Sequence, residues 1–108
     1  RKACELFDHV VADLTPLAKN PLCMRLVSQQ IASADSIAAN IEEGYGRRSR
    51  KDYSHFLIIS RGSATETRGR YENRFKHWLH PEVVQTRVAL CKEIVAILSK
   101  SIRTLRTD

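Results

Sequence analysis

A short basic segment in the middle of the chain offers the clearest chemistry. Its cationic side chains lie within five consecutive positions: Arg47, Arg48, Arg50 and Lys51. Guanidinium groups bind phosphate oxygens through paired hydrogen bonds, and lysine adds a flexible point charge. Tyr45 and Tyr53 flank the segment, and aromatic rings stack on the bases of single strands. The segment is therefore a candidate nucleic-acid-binding site. The alternative is a solvated junction whose cations keep the protein soluble, or whose cations pair with Glu42, Glu43 and Asp52.

Residue types that carry catalysis or bind metals form no recognisable site elsewhere. The histidines His9, His55, His77 and His80 lack the spacing of a metal motif, and no cysteine or acid completes a set. The chain also lacks a Walker A loop and a Gly-x-Ser-x-Gly elbow. We therefore expect a protein that is not an enzyme, with no metal, no cofactor and no small-molecule substrate.

Composition indicates one basic domain spanning residues 1–108. The 18 Lys and Arg exceed the 12 Asp and Glu, and the net charge of +6 favours acidic partners such as RNA or DNA. The scattered Cys4, Cys23 and Cys91 suggest reduced thiols rather than a disulfide framework or a zinc site. No apolar run reaches about 18 residues and no signal-peptide core is present, so we expect a cytoplasmic protein without a membrane partner.

Apolar residues recur every three or four positions and predict four helices, over residues 3–20, 22–45, 50–79 and from 81 onward. In the first, the predicted inward stripe consists of Cys4, Phe7, Val11, Leu14 and Ala18, and Val10 and Leu17 widen it. Pro16 predicts either a kink or an irregular last turn there, and Pro81 fits the first turn of the fourth helix. Long helices with short connections predict an all-α, antiparallel up-down four-helix bundle.

Glycines and a serine predict the junction between the second and third helices. Gly44 and Gly46 interrupt the apolar pattern, and glycine commonly ends helices because it accepts positive φ. Ser49, with Asp52 three positions later, is typical of a helix N-terminus. In the third helix, Gly62 lies within a run of small residues, which predicts a close helix contact.

The second helix also carries an unusual row of polar residues. The row is Gln29, Ser33, Ser36, Asn40 and Glu43. It is either a solvated face or a surface that contacts another helix or subunit through hydrogen bonds. The mostly uncharged side chains leave both interpretations open.

The segment SIAANIEEGYGRRSRKDYSHFL and the following SRGS resemble the signature of a four-helix-bundle family encoded in 23S rRNA intervening sequences. That signature reads S-I-x-A-N-I-x-E-G-x-G-R-x-S-x-K-[DE]-[FY], followed by R-G-S-x-x-E. Its matching structural positions include Ser36, Asn40, Glu43, Gly44, Gly46, Ser49, Arg61, Gly62 and Glu66. Ala38 stands where the family has proline, so we expect a straighter second helix.

The resemblance implies a helical bundle that assembles with itself into a ring-like homo-oligomer, such as a pentamer, with no established enzymatic activity. Related accessory proteins of diversity-generating retroelements bind nucleic acid and a reverse transcriptase. Two hypotheses follow: a homo-oligomeric module that binds the backbone of RNA or DNA, and a structural or protein-interaction scaffold with no nucleic-acid role.

Overall fold

The computed structural model describes residues 1–107, which form four α-helices and no strand. The helices are α1 Lys2–Leu14, α2 Met24–Tyr45, α3 Arg50–Asn73 and α4 Pro81–Arg106. Helix α3 packs along both α2 and α4, while α1 packs against α2 and α4. Successive helices run antiparallel in a body of 48 × 21 × 19 Å. The predicted all-α four-helix bundle is confirmed.

Two helices end earlier than the sequence pattern predicts. Helix α1 stops at Leu14, and a 3-10 turn, Thr15–Leu17, follows it. Pro16 lacks an N–H group and disfavours helical geometry at the preceding residue, so the last turn is irregular rather than kinked. Helix α3 stops at Asn73, and a second 3-10 turn, Phe75–His77, leads the chain back toward α4. The fourth helix begins at Pro81, as predicted.

The predicted inward stripe of α1 is partly wrong, since Leu14 and Val10 are buried as expected but other members are not. Cys4 is exposed, and Val11 keeps 41% of its surface in contact with solvent. The buried face is shifted by about one position and consists of Ala3, Leu6, Val10 and Leu14. Two overlapping rows of apolar residues fit helical spacing in this segment, and packing against α2 and α4 selects the second.

The rest of the apolar interior comes from α3, the 3-10 turn that follows it and α4. The buried apolar residues of these elements are Leu57, Ala64, Tyr71, Phe75, Val88, Cys91, Ile94, Leu98 and Ile102. On α4 the buried residues follow one another at steps of three or four positions from Val88 to Ile102, as in a bundle helix with one face in the core. Tyr45, the last residue of α2, is by contrast 78% exposed.

Serine and threonine hydroxyls join α2 to α3 along a polar seam. Ser33 Oγ lies 2.8 Å from Thr67 Oγ1, and Gln30 Nε2 donates to the carbonyl of Thr67 at 2.9 Å. One turn further along α2, Ser63 Oγ donates to Ser36 Oγ at 2.9 Å. The polar row on α2 is therefore, at Ser33 and Ser36, a surface of contact with another helix of the same chain.

The close approach of α2 and α3 occurs at Gly44 and not at Gly62. A β-carbon added at Gly44 would lie 2.9 Å from Phe56 Cβ and 2.9 Å from Tyr53 Cδ1, whereas one added at Gly62 would meet no atom within 4 Å. The close contact predicted at Gly62 is therefore wrong within the chain. Positive φ at the helix end is also wrong, because Gly46 has φ −80° and no glycine in residues 1–107 has positive φ.

Candidate nucleic-acid interface

The basic segment lies where α2 ends and α3 begins, as the sequence predicts. Ser49 caps α3, since its hydroxyl accepts the backbone N–H of Asp52 at 3.0 Å. Gly44 lets the two helices approach closely just before the turn. The link is therefore short and holds its cationic side chains at one end of the bundle.

Two of the four predicted cations make contacts within the chain. Arg47 pairs with Glu43 at 2.6 Å, and its guanidinium lies 4.8 Å from the centre of the Phe56 ring. Arg50 donates to the carbonyl of Thr104 at 2.9 Å and to that of Leu105 at 3.3 Å. The ion-pair alternative thus holds for Arg47, while Arg50 connects α3 to the last turn of α4 and satisfies carbonyls that a helix end leaves without partners.

The other two predicted cations, Arg48 and Lys51, are exposed. Neither forms a hydrogen bond or ion pair with any part of the described chain, residues 1–107. Their charges face solvent at the same end as the turn. These two side chains are therefore the available members of the predicted cluster.

The antiparallel topology adds cations that the sequence interpretation did not include. The last two turns of α4 return to the beginning of α3 and carry Lys100, Arg103 and Arg106, all exposed. We call residues 42–52 together with 100–107 the junction end. It contains seven Lys and Arg and three Asp and Glu. The predicted up-down topology, combined with the basic tail, was the signal that could have found them.

The two flanking tyrosines differ in their exposure. Tyr45 is 78% exposed, whereas Tyr53 is half-buried against the core. Their rings meet edge to face with centroids 6.2 Å apart. Tyr45 can therefore stack on a base, while Tyr53 orients the Tyr45 ring.

The arginines of the distal half of α3 are largely engaged with their own bundle. Arg70 donates to Ser33 Oγ at 3.0 Å, and Arg68 lies 3.8 Å from the Glu72 carboxylate. Arg74 and Lys76, by contrast, are exposed.

The remaining family-motif positions serve several different purposes. Asn40 Nδ2 donates to the Ser36 carbonyl and to Ser36 Oγ, both at 2.8 Å, and so stabilises the polar seam. Arg61 Nη1 donates to Ser99 Oγ at 3.2 Å and joins α3 to α4. Glu66 and Gly62 lie on the exposed face of α3.

A charged cluster at the opposite end of the bundle was missed by the sequence interpretation. The Asp13 carboxylate accepts two hydrogen bonds from Arg87, at 2.8 and 3.0 Å, and one from the Tyr71 hydroxyl at 2.8 Å. Asp13 keeps only 7% of its side-chain surface exposed. The cluster ties α1, α3 and α4 together. Nothing in the local pattern distinguishes Asp13 from a surface acid, because its partners are distant in sequence.

Burial and hydrogen bonding explain the shifted titrations of the interior. Burial, reinforced by the hydrogen bond to Asp13, raises the pKa of Tyr71 well above its ordinary value. The hydrogen bond to Asp13 also raises the pKa of Arg87. Burial raises the pKa of the Cys91 thiol to about 12, which keeps it a neutral core residue.

The histidines and cysteines form no metal site in the part of the chain that the structure describes. His80 instead caps α4, because its Nδ1 accepts the backbone N–H of Glu82 at 3.1 Å. All three cysteines are free thiols. None of the helices in residues 1–107 combines the length and apolar character that a membrane span needs.

Comparison with known proteins agrees with the fold and the motif. The family of the 23S rRNA-intervening sequence protein matches residues 1–100, which is nearly the whole chain. No curated protein matches the chain. The match over residues 1–100 includes most of the helical bundle and the whole junction at residues 44–49. The chain therefore belongs to the family of 23S rRNA-intervening sequence proteins.

Proposed function

We propose that the protein is a non-catalytic, homo-oligomeric module of the cytoplasm that binds the phosphate backbone of RNA or DNA through its junction end. The observation that supports this proposal is the convergence of exposed cations from two separate segments. Arg48 and Lys51 come from the α2–α3 link, and Lys100, Arg103 and Arg106 come from the end of α4. Phosphate groups attract such a surface whatever the base sequence.

The exposed ring of Tyr45 adds a stacking surface beside these cations. Stacking on an aromatic ring requires an unpaired base, so single-stranded or looped RNA and DNA fit this end better than a regular duplex. Arg47 and Arg50 contribute charge while their internal contacts hold them in place. The proposed interface therefore combines exposed cations with cations that internal contacts hold in place.

Fluorescence anisotropy with labelled single-stranded and hairpin RNA and DNA tests the proposal. We expect the wild type to bind at low salt and Arg48→Ser/Lys51→Ser to bind more weakly, about equally for different base sequences. Arg74→Ser/Lys76→Ser removes the same charge from exposed positions at the other end and is the matched control. Absence of binding by the wild type, or equal losses in the two variants, would contradict the proposal.

A second candidate, a protein-interaction scaffold, is favoured by an apolar groove between α1, α2 and α4. The groove has a volume of about 410 Å³ and is lined mainly by Ala3, Ile41, Ile94, Ile97 and Leu98. Ile97 is 48% exposed there. Exposed apolar area of this kind is typical of subunit or partner contacts. It supports self-association under either function.

Light scattering at micromolar concentration tests the homo-oligomer directly. We expect a mass that is a multiple of the 12.3 kDa chain, as closed cyclic assemblies give. A monomeric mass would rule out the oligomeric part of both candidates. An oligomer that binds neither RNA nor DNA would favour the scaffold.

A further inference from the structure

A cleft lies between the first turns of α3 and the last turn of α4. Its volume is about 320 Å³, and its lining residues are Arg50, Lys51, Ser54, His55, Ile58, Leu105 and Arg106. The cleft is open to solvent on one side and brings together polar, cationic and apolar groups from two helices. Its size exceeds that of a phosphate group and leaves room for an attached sugar.

Ser54 is the unusual residue in this lining. The residue is only 4% exposed, and its hydroxyl has no hydrogen-bond partner in the described chain, residues 1–107. Hydroxyls within helices commonly donate to the carbonyl four residues earlier, as Thr65 and Thr86 do here. Buried polar groups are nearly always paired, so an unpaired one inside a cleft indicates that a ligand supplies the partner.

Cationic side chains from both helices border the same cleft. Lys51 comes from α3 and Arg106 comes from α4, and both are exposed. The carbonyls at the end of α4 would repel an anion, but Arg50 donates to those of Thr104 and Leu105. The cleft thus presents cations and has the unpaired Ser54 hydroxyl in its wall, while its nearest helix-end carbonyls are covered.

We propose that this cleft binds a phosphate group of the ligand. The Ser54 oxygen is covered in this structure, and rotation of the side chain about its Cα–Cβ bond lets the hydroxyl donate to a phosphate oxygen. Lys51 and Arg106 neutralise the charge of the phosphate. Ile58 and Leu105 provide the apolar wall against which the sugar packs. The inference rests on the proposed function for the source of the phosphate, which is the backbone of an RNA or DNA strand.

Inorganic phosphate is the probe that isolates the cleft from the rest of the interface. We expect phosphate to raise the melting temperature of the wild type saturably, beyond the effect of sodium chloride at equal ionic strength. Ser54→Ala should weaken the apparent phosphate affinity about tenfold, since hydrogen bonds to charged groups are among the stronger ones. Without phosphate, this variant should melt no lower than the wild type, because the lost hydroxyl has no partner.

Ser28→Ala, at an exposed position on α2, is the control and should respond to phosphate as the wild type does. A phosphate effect no greater than that of chloride, or one unchanged in Ser54→Ala, would overturn the inference. The same variants are then measured with RNA and DNA. If phosphate binds saturably and through Ser54 but RNA and DNA do not bind, phosphate binding in the cleft is supported and the proposed function is overturned. If RNA or DNA binding depends on Arg48 and Lys51 but not on Ser54, only the proposed phosphate binding in the cleft is overturned.

Discussion

Residues 13–25 and 68–87 form the end of the bundle opposite the junction, which we call the distal end. Like the junction end, it contains seven Lys and Arg and three Asp and Glu. At the distal end, however, Arg87 is paired with buried Asp13, and Arg70 donates into the α2–α3 polar seam. At the junction end all seven cations are exposed, beside a cleft and an exposed tyrosine, whereas four of the seven are exposed at the distal end.

The comparison teaches that an excess of positive charge does not by itself identify a binding surface. Equal counts of charged residues serve different purposes according to what each cation contacts. At the distal end the partly buried Asp13–Arg87 pair, together with Tyr71, joins three helices. At the junction end the arrangement of exposed cations around a partly polar cleft suits a phosphate ligand. The following changes test that contrast, from the largest expected effect to the smallest.

Removing the buried acid tests the structural role of the distal end. Asp13→Ala should lower the free energy of unfolding by about 3 kcal/mol, because Arg87 and Tyr71 lose their common acceptor in a largely buried site. Urea unfolding measures the change. Glu93→Gln disrupts the exposed pair with Lys2 and should cost less than about 1 kcal/mol. Similar losses of unfolding free energy in Asp13→Ala and Glu93→Gln would show that the Asp13 cluster stabilises the fold no more than an exposed ion pair does.

Adding a methyl group at Gly44 tests the close approach at the junction end. Gly44→Ala should lower the free energy of unfolding by about 1–3 kcal/mol, because the new β-carbon would overlap Phe56 Cβ and Tyr53. Gly62→Ala meets open space and should raise stability by about 0.5–1 kcal/mol through helix propensity. Thermal unfolding of both variants measures these changes, and a stabilised Gly44→Ala would refute the close contact at Gly44.

High pH should lower the free energy of unfolding through Tyr71 at the distal end. The raised pKa of Tyr71 means that the folded state holds this proton more tightly than the unfolded state does. The contribution of the protonated Tyr71 to the free energy of unfolding is therefore fully present below about pH 10, the ordinary pKa of tyrosine. This contribution is lost as the pH rises above that value. Urea unfolding from pH 8 to 11 should show a fall in stability that is smaller in Tyr71→Phe. An identical fall in both proteins would exclude Tyr71 as a cause.

The sequence predicts the helical fold well because periodicity and capping are local properties. Ser49 and Pro81 mark helix starts correctly, and Tyr45 marks the end of α2. The inward face of α1 could not be predicted, because two apolar rows compete there and only tertiary packing selects one. The contact at Gly44 was missed because a glycine near a helix end fits a cap as well as a close approach.

The candidate site is only partly visible in the sequence. The cations from Arg47 to Lys51 lie close together in the sequence and are therefore easy to identify. Arg47 contacts Glu43, and Arg50 contacts the end of α4. These contacts depend on side-chain geometry, which a sequence pattern does not contain. Ser54 looks like any helical serine until its missing partner is seen in three dimensions.

The salt dependence of nucleic-acid binding tests the central claim most directly. If three junction cations contact phosphates, the slope of log K against log salt should be about −2 to −3 per subunit. Arg48→Ser/Lys51→Ser should reduce its magnitude by about 1.4–1.8, whereas Arg74→Ser/Lys76→Ser should leave it unchanged. A slope unaltered by the junction change, or flattened more by the distal change, would contradict the assignment of binding to the junction end.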